Sequence, residues 1–243
     1  MLGGPNTPQY RLSRYLDAAL YAPHPPIQNL ANTFFFANAE AEGQKQINRA
    51  LKASPSLLVG VDFLFWFCYG PAGTEQERAA RFEKGLKMLE PVRCPLILGD
   101  VPDASAAVNG MLSPEEIPTA KAMAAANQRL KKWAADRRQT VIVPLGAFMR
   151  TVLANEAFTV HGQTIPQGRT QDLLQPDQLH PTPPGAAVLA LVVLDAVQSA
   201  CPGIKTDGIR WNPKEVFKLG FNRTQNSTNT PAKPVAPSQP APN

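Results

Sequence analysis

Cysteine, histidine and charge are all scarce in this chain. Its three cysteines, Cys68, Cys94 and Cys201, are scattered and odd in number. That argues against a disulfide framework, and with no Cys-x-x-Cys spacing there is no zinc motif. The three histidines, His24, His161 and His180, are too few for several metal sites. Charged residues make up only 18% of the chain, which sets it apart from disordered polyelectrolytes. The net charge is +5, but the basic residues are dispersed and no aromatic–basic stripe marks a nucleic-acid surface. No membrane span is expected. The apolar stretches 57–70 and 185–197 fall short of the roughly 20 residues a spanning helix needs, and each contains an aspartate, Asp62 and Asp195. Residues 1–5 have neither the basic start nor the apolar core of a signal peptide. A serine-nucleophile motif of the G-x-S-x-G type is also lacking. Ser13, Ser54, Ser56, Ser105 and Ser113 read as surface or capping residues.

What is present is enough for one domain with a real core: 243 residues, of which 44% are hydrophobic. Apolar positions in 9–22 fall on one helical face. Helices are expected again at 40–53, 75–89, 119–138 and 184–200, the last with proline at its start. Between them, 27–31, 57–67, 95–99 and 140–145 read as short strands, the later three apolar enough to be buried on both faces. This alternation predicts a parallel sheet sandwiched by helices. Residues 158–165, with His161-Gly162 in the middle, read as a β-hairpin inserted before the last helix. From 224 onward the chain is proline-rich with almost no large apolar side chain, so 224–243 is expected to be a disordered tail. Lys131, Lys132, Arg137 and Arg138 around Trp133 read as the solvated face of a helix. Phe34–Phe36 and Phe63–Phe67 read as core, with an acyl-chain pocket as the other option.

One segment carries chemistry: Asp177-Gln178-Leu179-His180-Pro181-Thr182-Pro183-Pro184-Gly185. An aspartate and a histidine three apart, in a loop that opens onto a helix, are able to lie side by side. The carboxylate then accepts the proton of one ring nitrogen and leaves the other free as a general base. His24 and His161 have no such context. The D-x-L-H-P-T-x-x-G string followed by an apolar helix resembles the last conserved block of the SGNH hydrolases, also called GDSL esterases and lipases. Weaker likenesses extend over 9–199: Asn29-Leu30-Ala31, residues 54–61, and Asn127-Gln128-Arg129-Leu130. The resemblance implies a three-layer α/β/α, flavodoxin-like parallel sheet and an ester hydrolase with a Ser-His-Asp mechanism. It implies His180 as base and Asp177 as its orienting carboxylate. It implies no metal or organic cofactor, and a small-molecule or acylated-carbohydrate ester as substrate.

The chain departs from that family at its start. The family's serine follows the first strand, in a G-D-S motif ahead of the first helix. Residues 1–8 contain neither a serine nor a strand pattern. Gly99-Asp100-Val101 has valine at the serine position and ends a later strand. Asn32 to Phe36 and Asp62 to Trp66 stand where oxyanion-hole glycine and asparagine motifs are expected. A flavodoxin-like sheet has the order 2-1-3-4-5, so lacking strand 1 would leave an apolar edge unpaired, which invites aggregation. The expectation is therefore an N-terminally shortened hydrolase, 1–223 being the domain, with strand 1 absent or replaced and the serine outside this chain. An export signal would then also lie upstream, and a proline-rich tail suits an envelope or extracellular setting. A catalytically inactive binding domain and a fragment remain as the other readings.

Overall fold

The computed structural model describes residues 8–108, 110–137, 139–200 and 206–227. Three short strands, β1 (Leu58–Gly60), β2 (Leu96–Gly99) and β3 (Thr140–Val143), pair in parallel in the order β1-β2-β3. Two more, β4 (Phe158–Val160) and β5 (Gln163–Ile165), form the expected antiparallel hairpin. His161 and Gly162 at its turn both have positive φ, 45° and 73°, as a two-residue hairpin turn of the primed type requires. The helices are α1 (Leu12–Ala19), α2 (Ala39–Lys52), α3 (Phe65–Cys68), α4 (Glu75–Met88), α5 (Ala120–Ala135), α6 (Leu145–Leu153), α7 (Pro183–Ala200) and α8 (Pro213–Ser227). The result is a mixed α/β structure with a three-stranded parallel sheet and a small antiparallel one.

Strand side chains alternate between the two faces of a sheet, and here the alternation divides the core. Val59, Ile97, Val141 and Val143 join an apolar cluster with Tyr15 of α1, Phe148 of α6, Leu191 of α7 and Val216 of α8. Leu58, Leu96, Leu98 and Ile142 join a second cluster with Ile47 of α2, Phe67 of α3, Phe82 of α4 and Leu130 of α5. Local chemistry starts several of these helices. Thr74 and Glu77 form a capping box at α4, Asn38 accepts from Ala41 N, and Thr119 accepts from Ala122 N.

Several sequence expectations need correction. Residues 27–31 form no strand and are largely exposed, because no strand among the described residues offers them a ladder. Of 57–67 only Leu58–Gly60 is strand. The chain then turns at 62–64 and enters α3. An unbroken apolar run reports burial on all sides, and burial alone does not separate strand from helix. The first helix is limited to Leu12–Ala19, with a 3-10 turn (Pro8–Tyr10) before it. α6 and α8 were not anticipated. α8 runs past the expected start of the tail, and the tail from 228 on lies outside the described residues. So do residues 1–7, Arg138 and Cys201.

α7 has 18 residues at a mean hydropathy of 1.4, and among the described residues it alone is long and apolar enough to cross a membrane by those measures. Half of it is buried inside the protein. Val188, Leu191 and Val193 pack against α1, α8 and β3, which is the composition a core helix needs.

Burial pushes the Cys68 thiol up to about 11 against the opposing pull of Arg78 and Arg81. Only a thiolate alkylates efficiently. Iodoacetamide at mildly alkaline pH is expected to modify half-buried Cys94 in the native protein and to spare Cys68. Peptide mass spectrometry reads the result, and equal modification of the two would contradict the burial.

Candidate active site

The loop between a 3-10 turn (Thr170–Leu173) and α7 is closed by its own hydrogen bonds. Leu174 and Pro181 bridge across it. Gln175 N donates to His180 O at 2.8 Å, and Gln175 Nε2 donates to Pro181 O at 2.9 Å. At the tip Gln178 has φ +57°, which turns the chain back so that residues 179 and 180 pass over Asp177. The Asp177 carboxylate fills the interior of the turn. Oδ1 accepts from Leu179 N at 3.1 Å and from His180 N at 3.0 Å, and Oδ2 accepts from His180 Nδ1 at 2.7 Å. The Asp177 side chain is 3% exposed and that of His180 is 29% exposed.

This geometry has a definite chemical meaning. A buried carboxylate is tolerated when donors satisfy it, and Asp177 has three. Ionised, it accepts only, so the Nδ1 contact puts the ring proton on Nδ1 and the lone pair on Nε2. Nε2 has no protein partner among the described residues. The pair is an oriented base with its reactive nitrogen free.

The start of α7 holds the loop in place. Thr182 Oγ1 accepts from Gly185 N at 3.2 Å and donates to Asp172 O at 2.7 Å, while Thr182 N donates to Leu173 O at 2.9 Å. A β-carbon on Gly185 would run into the Leu173 carbonyl. The glycine of the motif is thus what lets the helix approach the chain segment that precedes His180.

Asp62 follows directly on the sheet-paired part of β1. Gly99 N donates to Val61 O at 3.1 Å, so pairing with β2 continues to Val61 and Asp62 is the first residue beyond it. Phe63 N bonds back to Gly60 O and Phe65 N to Asp62 O, which makes the turn tight. Val61, Phe63, Leu64 and Phe65 are buried, whereas Asp62 is exposed. Crowding by protein atoms pushes its carboxyl up, and its own backbone N–H and the charge of His180 pull it down.

The other residues singled out by sequence have structural roles. Asp100 Oδ1 accepts from Gly146 N at 2.7 Å and anchors the start of α6; burial raises its pKa. Asn127 clamps Val101 through both amide atoms, at 2.7 and 2.9 Å. His24 lies 3.5 Å from Asp17. His161 bonds Asp195 at 3.2 Å, with its ring stacked 3.7 Å over Trp211. Phe35, Phe63, Phe65 and Phe67 belong to the core, and Phe34 and Phe36 are exposed. Among the described residues no serine hydrogen-bonds His180, and no group of three or more His, Cys, Asp or Glu gathers as a metal site. A groove of about 710 Å³ between β3, β4 and α7 is lined by Val141, Phe158, Val192 and Asp195, away from the dyad.

Sequence reasoning missed the role of Arg78, only 5% exposed. Its Nη1 donates to the carbonyls of Cys68, Gly70 and Glu116 and so ties the end of α3 to a distant loop. Nothing local in the sequence announces that role. No family model, no curated protein and no solved structure matches the chain.

Proposed function

We propose that the chain is the base-bearing part of an ester hydrolase of the SGNH type, on a three-layer, flavodoxin-like α/β/α framework. The observation that carries this reading is the 2.7 Å bond from His180 Nδ1 to the buried Asp177 carboxylate, in a D-x-L-H-P-T-x-x-G loop ahead of an apolar helix. His180 Nε2 takes the proton of a serine hydroxyl as the oxygen adds to the ester carbonyl, then returns it to the leaving alcohol. Asp177 stays ionised and stabilises the imidazolium between the two transfers. The substrate class is a small-molecule or acylated-carbohydrate ester, and the mechanism uses no cofactor.

The serine has no motif in this chain. The outer edge of β1 has no strand beside it among the described residues, and a flavodoxin-like order places the nucleophile's strand there. A fluorophosphonate probe, which captures activated serines, tests the reading on the protein from its native source with whatever sequence precedes Met1. Labelling of a serine that disappears in His180→Ala supports the hydrolase. Absence of labelling in the native protein counts against it and favours a binding domain.

A further inference from the structure

We infer that the outer edge of β3 is a peptide-docking site, which takes up an extended, uncharged, apolar segment of a partner protein as a further strand of the parallel sheet. This edge lies across the sheet from β1. The inference does not rest on the hydrolase reading.

The main chain of this edge is open. Leu96 N donates to Gln139 O, and Asp100 N donates to Val143 O. Successive peptide groups of a strand point to opposite sides, so those of Thr140 and Ile142 face away from β2. Thr140 N donates to Arg137 O. Pro144 has no N–H, and its carbonyl accepts from Phe148 N. Left over are the Thr140 carbonyl and both the N–H and the carbonyl of Ile142, and no strand among the described residues pairs with them. A row of unpaired donors and acceptors on a sheet edge is a template for one more strand.

The edge borders the groove of about 710 Å³ between β3, β4 and α7. The walls of that groove extend the two layers that cover the sheet. Val192 and Ala196 of α7 belong with the apolar cluster on the Val141 face, and Ala134 of α5 belongs with the cluster on the Ile142 face. A strand added beside β3 would meet apolar wall on both faces, as β2 does with its four buried residues. This continuity sets the chemistry of the occupant. Side chains on both of its faces must be apolar, as in any strand covered on two sides, and the alanines leave them room. Among the lining residues the one charged group is Asp195, and it is already bonded to His161. An acidic segment would be repelled there, and a basic one would lose water without gaining a free partner.

Hydrogen exchange followed by NMR on the full chain gives the first test. In the free protein the Ile142 amide is expected to exchange about tenfold or more faster than those of Val141 and Val143, which face β2. The acetylated and amidated peptide Ser-Gly-Val-Leu-Val-Leu-Gly-Ser is the probe. At saturation it should slow exchange at Ile142 about tenfold or more. Titration calorimetry should show that N-methylation of its four central residues, which removes the donors of a ladder, weakens binding about tenfold or more. Ala135→Arg and Ala196→Arg each put a long charged side chain into the groove and should abolish binding. Ala135 is exposed at the end of α5, so its variant should keep the unfolding midpoint of the unmodified protein. Strong protection of Ile142 in the free protein would mean that the chain itself or a second copy covers the edge, and would overturn the inference. Absence of peptide binding would do the same, as would binding that survives N-methylation or both arginine substitutions.

Discussion

Gly185→Ala is expected to lower the free energy of unfolding by about 3 kcal/mol or more. The added methyl would overlap the Leu173 carbonyl oxygen and carbon. That is backbone, which cannot swing aside as a flexible side chain does. Either α7 withdraws or the segment at 173 moves. In both cases Thr182 loses its bond to Leu173 O, and the loop carrying His180 is displaced with it. Urea denaturation measures the effect. A midpoint equal to that of the unmodified protein would mean that α7 and Leu173 are farther apart than described. Because the displacement reaches the dyad, serine labelling should fall together with stability.

His180→Ala and Asp177→Asn are each expected to reduce ester hydrolysis by the native protein about 10⁴-fold. The first removes the base. The second removes the charge that stabilises imidazolium and no longer enforces the reactive tautomer. Their structural consequences differ. His180 is partly exposed and bonds the loop mainly through its backbone, so its truncation should leave the unfolding midpoint nearly unchanged. Asp177→Ala would strip the acceptor from Leu179 N and His180 N and cost about 1–2 kcal/mol. Turnover of a p-nitrophenyl ester and urea denaturation separate the two effects. Full activity in either His180→Ala or Asp177→Asn would end the hydrolase reading.

The legible parts of the sequence were those where one local rule decides. α4 begins at Glu75, where the helix was expected, and His161-Gly162 turns the expected hairpin with both residues at positive φ. The Asp177–His180 pair was readable for the same reason, since spacing and loop context suffice to bring the side chains together. The illegible parts depend on distant neighbours. Residues 27–31 have strand composition, but a strand needs a partner, and none lies beside them among the described residues. The run at 57–67 is apolar because its whole length is buried, so its pattern hid the switch from β1 to α3 at Asp62. Arg78 looks like any surface arginine until the carbonyls of residues 68, 70 and 116 are brought to it by the fold.

The first and last described helices share one interface. Arg14 of α1 donates to Gly220 O of α8 through Nε and Nη2 at 3.2 and 3.1 Å, and Gly220 leaves just enough room for the Tyr15 ring. On a ribosome, then, α1 emerges long before the surface that covers it has been synthesised. Tyr15 and Leu16 must wait, shielded by transient contacts or by chaperones, until α7 and α8 leave the exit tunnel, so this half of the core closes only after translation has passed α8.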